Sequence, residues 1–462
     1  MLEIARRNTN LREMDIASHL HAQTNLKAHE TTGPLIVAGG EGCYFYDDSG
    51  KRYLDMHAGL WSLSLGLGNE RLAEAAARQF KTLAYAQTFG HRSSEPVIEL
   101  CDALVNLAPV PMSKAMLQSS GSEANDTAVK IAWYYWNSRN EPDRRKIIAR
   151  KRAYHGTTAV AASLTDLPHM HAGFGLPLPG FLHVSCPDTY RGPSEGEGEA
   201  EFATRLAEEL DETIRREGPE TIAAFIAEPV MGAGGIYTPP DTYFPKIREV
   251  LDRYGILLIA DEVICGFGRT GSWWGSQSYG VQPDMITSAK ALSSSYLPIS
   301  ALMINQKIYE TIAQKSDSVG VFGHGYTYGG HPVCAAVALE TIRIYQEDAL
   351  IERAAGLDAV MRRHLEPLKD HPLVGDVRGR GLMWGVEVVA DKKTKKAFEP
   401  AQKVGARVSN ACFQKGLNTR AVGGHVLAFT PALIVTEEEI GTAAGLLTEA
   451  LDQVEVELKQ EN

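Results

Sequence analysis

A chain of 462 residues exceeds the size at which a single hydrophobic core stops growing, and its 44% apolar content is that of a soluble protein with two domains. With 57 acidic against 46 basic residues the net charge is −11, which argues against a nucleic-acid-binding surface. The cysteines at 43, 101, 186, 265, 334 and 412 form no CxxC pair, so a disulfide framework or a zinc ribbon is excluded and six buried thiols are expected. The opening MLEIARRN has no apolar targeting stretch, and no run approaches the roughly 18 apolar residues needed to span a bilayer; a cytoplasmic location is expected.

In chain order, GCYFYDDSGKRYLD places two short aromatic runs around the turn Asp47-Asp48-Ser49-Gly50, which predicts a β-hairpin outside any main sheet. From about residue 66, apolar runs at 114–119, 146–149, 222–227, 256–260 and 285–289 alternate with helical stretches, the pattern of a mostly parallel α/β sheet. One helix is especially clear. Phe202, Leu206, Leu210 and Ile214 repeat at i+4, acidic residues lead, Arg215-Arg216 close, and Gly218-Pro219 stops it. The last third reads as helices, the hairpin VGDVRGRGLMWGVEVV and a C-terminal helix from about 436, an α+β unit. The expected division is therefore 1–65 and 331–462 in a smaller domain and 66–330 in a large one.

Two residues carry the chemistry. Asp261 ends the apolar run ILLIAD, and Lys290 closes MITSAK 29 residues later. A carboxylate and a lysine at the ends of buried strands cost stability unless they serve a site, and open α/β sheets place their ligands at those ends. A buried lysine amine is nucleophilic towards a carbonyl, and a fixed anion can hold a pyridine nitrogen protonated. QSSGSEANDTAVK supplies Ser120-Gly121-Ser122 at a strand-to-helix turn, where free amides suit a phosphate, although Ser120 and Glu123 also make a capping box. Tyr154-His155-Gly156, after KIIAR, sets an aromatic ring where it could lie on a flat cofactor or in the core. The pairs His19/His21 and His169/His171 lack a third ligand at a convincing spacing, so no metal is expected.

Together, SGSEANDTAVK, AYHGTT, AEPVMGAGG, ADEVICGFGRTG, the Ser-Ala-Lys at 288–290, HGYTYGGHP and VRGRGLMWG resemble, in order from about residue 30, the class III aminotransferases. The resemblance implies the fold type I of pyridoxal-phosphate enzymes: a large domain with a seven-stranded, mostly parallel sheet flanked by helices, and a smaller α+β domain from the two chain ends. It implies that Lys290 holds pyridoxal 5'-phosphate and moves the substrate proton, and that Asp261 pairs with the ring nitrogen. Val263 and Tyr154 would cover the two ring faces, Glu228 would organise the site, and His155 would lie at the cofactor. Ser120, Gly121 and Ser122 would hold the phosphate, joined by Tyr326 and Thr327 of a neighbouring subunit, so a homodimer is implied, with a tetramer left open.

Substrate choice rests on departures within the family. Relatives using 2-oxoglutarate carry a glutamate where this chain has Ala233, and a glutamine where it has Ile264. Both changes resemble the amine:pyruvate, or ω-transaminase, group, as do HAGLWS and FGLPLPG. That likeness implies a substrate pocket with Leu60, Trp61, Phe89, Tyr154 and Ala233, and Arg420 as the clamp for the carboxylate of pyruvate or alanine. The partners expected are an amine donor and pyruvate. A 2-oxoglutarate-dependent relative, a decarboxylase or aminomutase of the same fold, and a non-enzymatic descendant remain the alternatives.

Overall fold

The computed structural model describes residues 10–461. The opening stretch read above for targeting signals lies outside them. Strands β1 (Val37–Glu41), β2 (Tyr44–Asp47) and β3 (Arg52–Asp55) form the antiparallel unit expected near the start. Its turn is fixed by Asp47, whose carboxylate accepts from Ser49 N and Lys51 N, with Gly50 at φ +85.

The main sheet contains β4 (Lys114–Gln118), β5 (Lys146–Arg150), β6 (Phe181–Val184), β7 (Ile222–Ala227), β8 (Leu257–Asp261), β9 (Met285–Ser288) and β10 (Ser300–Ile304), in the order 4-10-9-8-7-5-6. The five apolar runs seen in the sequence are five of these strands. The other two, β6 and β10, were not legible: FLHV is short and carries a histidine, and SALMI follows a serine-rich loop. β10 pairs antiparallel with both β4 and β9, whereas β6, β5, β7, β8 and β9 are parallel.

Helices cover both faces of the sheet. Ile147, Ala149, Ala224, Ile226, Leu257 and Ile259 pack with Ala128, Ile131 and Tyr135 of the helix Gly121–Ser138. Their alternates Ile148, Phe225 and Leu258 pack with Phe202, Leu206, Leu210 and Ile214 of the helix Glu199–Glu217 and with Ile247 and Leu251 of Tyr243–Tyr254. All six residues of β7 are buried, as a strand sandwiched between helical layers requires.

The remaining strands are β11 (Val374–Arg380), β12 (Met383–Val388), β13 (Leu417–Asn418), β14 (Arg420–Val422) and β15 (Val426–Phe429). The expected hairpin is β11–β12, and β15 and β14 extend it. β13 instead joins the N-terminal sheet, parallel to β3 with Leu417 opposite Leu54, so the two chain ends share one sheet. The C-terminal helix runs Glu437–Glu461.

All six cysteines are free; Cys43, Cys265, Cys334 and Cys412 are buried, but Cys101 and Cys186 are only half-buried, a correction to the expectation of six buried thiols. Among the described residues no helix is long and apolar enough to cross a membrane.

Leu210 is fully buried between the helix Glu199–Glu217 and the sheet. Leu210→Ala is expected to cost about 2–5 kcal/mol through lost burial and the cavity left behind. A urea unfolding midpoint shifted down at unchanged slope is the check.

Candidate active site

β8 and β9 are parallel neighbours with Asp261 opposite Thr287, so their carboxyl ends open on the same edge of the sheet. Asp261 is the last residue of β8 and is buried. Its Oδ1 accepts from Val263 N at 3.0 Å. Its Oδ2 accepts from Asn125 Nδ2 at 2.8 Å and faces His155 Nδ1 at 2.7 Å. An ionised carboxylate only accepts, so Nδ1 carries the histidine proton. Asn125 is held in turn by Thr287 Oγ1, which donates to its Oδ1 at 2.8 Å, and by its own second bond to the His155 carbonyl at 2.6 Å. Asn125, His155 and Thr287 are all buried, and their bonds compensate a charge that would be prohibitive alone. His155 therefore holds Asp261, and Asn125 and Thr287, unnoticed in the sequence, complete the support.

Lys290 lies just beyond β9 and not within it; it begins the tight turn Lys290–Leu292 with φ +50, a left-handed conformation that lysine adopts at a cost. Burial lowers its amine below the ordinary 10.5, while Asp261 and Glu228 oppose the fall. Glu228 is buried, and burial pushes its carboxyl up; its oxygens accept from Tyr154 N and Gly232 N at 3.2 and 2.9 Å. It thereby ties the loop carrying Tyr154 to the loop carrying Ala233. The neighbouring Glu262, fully buried and pushed up to about 7 by burial, accepts from Gly275 N and from Ser276, and anchors the start of the loop after β8.

At the other end, Ser120 caps the helix Gly121–Ser138 by accepting from Glu123 N at 3.2 Å. The expected capping box is shifted: the Glu123 carboxylate accepts from Ser119 N at 2.7 Å, and not from Ser120 N. Gly121 is required by crowding, since a Cβ there would come within 3.0 Å of Val263 Cγ1. Gly156, at φ +137, would place a Cβ 2.4 Å from Ser122 Oγ, which accepts from Thr157 N. These elements enclose a cavity of about 430 Å³ lined by Ser120, Gly121, Ser122, Tyr154, His155, Glu228, Asp261, Val263 and Lys290. A helix start for a phosphate, a fixed carboxylate for a ring nitrogen and an amine for an aldehyde together fit pyridoxal phosphate.

A second cavity of about 450 Å³ shares Leu60, Tyr154 and Lys290 with the first and adds Trp61, Ala233 and Arg420. Leu60 and Trp61 sit on a kinked turn, with Ala58, Gly59 and Trp61 all at positive φ. Asp55 holds that turn: its carboxylate accepts from His57 N at 3.0 Å, Gly59 N at 2.6 Å and Asn418 Nδ2 at 2.7 Å. The Trp61 ring meets His57 edge-on at 4.9 Å. Arg420 begins β14, is exposed, and makes no ion pair among the described residues.

Three expected residues are not brought to these cavities by their own chain. Phe89, Tyr326 and Thr327 line neither. They gather elsewhere: the Tyr326 hydroxyl lies 3.3 Å from Thr127 Oγ1, Tyr85 donates to the Thr327 carbonyl at 2.8 Å, and Gly325 closes against the Phe89 ring. Of the histidine pairs, His171 contacts the Ala162 carbonyl, whereas His19 and His21 converge on Asp15 together with His29, a partner 8 residues beyond His21 that the short H-x-H spacing did not suggest.

Two outcomes follow from this geometry. Asn125→Ala removes one Asp261 partner and frees Thr287, a loss of about 1–3 kcal/mol at a charged acceptor, so pyridoxal phosphate should dissociate tenfold or more readily on dialysis. Because Lys290 has a lowered pKa when folded, the unfolded chain binds the extra proton, and its contribution opposes folding below that pKa and fades as pH rises to 10.5. Cofactor-free Lys290→Met should therefore be more stable than cofactor-free parent protein at neutral pH, with the advantage shrinking towards pH 10.5 in a pH series of unfolding curves.

The model of the family described as aminotransferase class-III matches residues 26–451. Gamma aminobutyrate transaminase 3, chloroplastic, of Solanum lycopersicum is 46% identical over 88% of this chain and 78% of its own. A vanillin aminotransferase of Capsicum annuum is 43% identical over 92% and 93%. The ω-transaminase of Pseudomonas jessenii in complex with PMP superposes with a TM-score of 0.95 at 50% identity, covering 96% of this chain and 98% of that one. A thermostable ω-transaminase variant, replaced at a tryptophan, a phenylalanine and an arginine for synthesis of enantiopure bulky amines, gives 0.94 at 49% over 96% and 99%. A transaminase with L-alanine gives 0.90 at 52% over 92% and 100%. With this likeness over nearly its whole length and the lysine, carboxylate and helix start in one cavity, the chain belongs to the class III aminotransferases, pyridoxal-phosphate enzymes of fold type I.

Proposed function

We propose that the protein transfers the amino group of an ω-amino acid or primary amine to pyruvate, giving an aldehyde or ketone and alanine in two half-reactions. The observation that carries this reading is Arg420, a guanidinium without an ion pair among the described residues, in the cavity that Lys290 and Ala233 also line. An arginine neutralised by a neighbouring glutamate would be masked from a short acid; here it is free to clamp the carboxylate of pyruvate or alanine in a bidentate pair. The likeness to a transaminase with L-alanine supports that choice. So does the engineered bulky-amine variant: its three replaced positions are separated by 28 and 331 residues, the separations of Trp61, Phe89 and Arg420. The relatives named for gamma-aminobutyrate and vanillin support donors whose amine stands on a carbon without a carboxylate.

Pyridoxal phosphate, when bound, supplies the electron sink for the bond broken at the amine-bearing carbon. Asp261 holds the ring-nitrogen proton, fixed by Asn125 and His155. Lys290, its amine pushed towards the neutral form by burial, would take the proton from the donor carbon and return it on the cofactor side. Trp61 and Leu60 set the width of the donor pocket, and Glu228 keeps Tyr154 facing the cavity.

The active unit in this reading is a homodimer. Tyr85, Phe89, Val321 and Tyr328 are exposed on one surface, with Tyr85 and Tyr328 in edge contact and Phe89 and Val321 lining one groove. An apolar surface of this kind calls for cover, and Tyr326 and Thr327 on it would reach the phosphate of the other subunit. Alanine added to the cofactor-loaded protein should bleach the imine absorption band and release pyruvate; a band that ignores alanine while responding to glutamate would assign 2-oxoglutarate instead. Arg420→Ala should raise KM for pyruvate tenfold or more while changing kcat/KM for a carboxylate-free amine by less than threefold, as steady-state kinetics with both substrates would report.

A further inference from the structure

Outside the active site, three histidines from the start of the chain turn towards one carboxylate. Asp15 lies on the helix Leu11–Ser18, His19 directly follows it, His21 is in the next loop, and His29 is on the helix Leu26–Thr32. His21 Nε2 and His29 Nε2 stand 2.7 and 3.0 Å from Asp15 Oδ1, and His19 Nδ1 stands 3.1 Å from Oδ2. The rings lie close and tilted at 41° to one another: His19 to His21 is 4.1 Å and His21 to His29 is 4.0 Å between centroids. Asp15, His21 and His29 are largely shielded and His19 is exposed. No lysine or arginine pairs with Asp15 among the described residues; the histidines alone face it.

We propose that Asp15, His19 and His21 form a binding site for a borderline divalent transition metal of the zinc class, with His29 beside them on the same carboxylate. Two imidazole nitrogens and one carboxylate oxygen are ligands of the type zinc takes, and a water would complete the tetrahedron. Zinc at its usual bond lengths sets such atoms about 3.3 Å apart, and the ligand atoms of these three residues all lie within 4.8 Å of one another. Clustered imidazoles that all took protons would repel one another, whereas one metal ion accepts the lone pairs of His19 and His21. The chelate would tie the loop between the two helices to the first of them, and that loop carries Gln23, which lines the Arg420 cavity and whose Nε2 donates to Met170 Sδ at 3.0 Å. The metal is thus a positioning element for one wall of the cavity and takes no part in the proton chemistry.

Cobalt(II) is the probe, because a tetrahedral nitrogen and oxygen site gives it intense visible bands distinct from the cofactor band. Holoenzyme dialysed against a chelator should bind one Co2+ per chain with these bands, and one equivalent of Zn2+ should abolish them. His19→Ala and His21→Ala should each weaken Co2+ binding at least a hundredfold while the cofactor band is retained, which shows that the fold survives; Asp15→Asn serves if either fails to fold. Holoenzyme that shows no tetrahedral bands overturns the proposal. Bands that persist in both histidine variants also overturn it, and would place the ion elsewhere, with His371, Asp452 and Glu455 as the other gathered donors.

Discussion

Everything in this molecule is arranged around one buried negative charge. Asp261 sits at the end of β8 with almost no access to solvent, and a carboxylate there is tolerable only because Asn125, His155 and the Val263 amide supply its hydrogen bonds. Those partners come from three different segments: the helix Gly121–Ser138, the loop after β5, and the loop after β8. To satisfy the charge, the chain must bring together the helix start that suits a phosphate, the loop that carries Tyr154, and Val263 at the start of the loop after β8. The electrostatic requirement and the shape of the cofactor site are thus one constraint.

Lys290 shows the complementary balance. Burial lowers its amine towards the neutral form, whereas Asp261 and Glu228 pull it back towards the cation. The net shift is downward, which favours the neutral amine that acts as nucleophile and as base. Its left-handed backbone suggests that the turn after β9 stores some strain to aim the side chain back over the sheet edge. The kinked turn at 58–61 does the same for Leu60 and Trp61, with Asp55 as its anchor. The hydrophobic layers of β5, β7 and β8 provide the stability that tolerates such turns.

Much of this was legible beforehand, for identifiable reasons. Apolar runs marked five of seven central strands because strands between helical layers have few polar residues. The helix at 199–217 was written in its stripe, acidic start and glycine stop. Lys290 and Asp261 stood out because charges at the ends of such runs are costly. The strand β6 escaped because it is short and a histidine interrupts it, and β10 because it follows directly on a serine-rich loop. Asn125 and Thr287 escaped because a buried amide or hydroxyl has no signature until its partner is known.

The sequence by itself determined the alternation of strands and helices in the large sheet, the lysine and aspartate at its edge, and the class of cofactor chemistry that the ordered motifs imply. It could do so because local patterning and residue type are one-dimensional properties. The tertiary structure decided what depends on distance between remote segments. It joined β3 with β13 across more than three hundred residues, turned His155 into the support of Asp261, and opened the Arg420 cavity onto Lys290. It left Phe89, Tyr326 and Thr327 together on a surface apart from their own chain's cavity, and it turned His29, with His19 and His21, towards Asp15. Each of these is a convergence of side chains from separate elements, and only packing of those elements against a common core sets it.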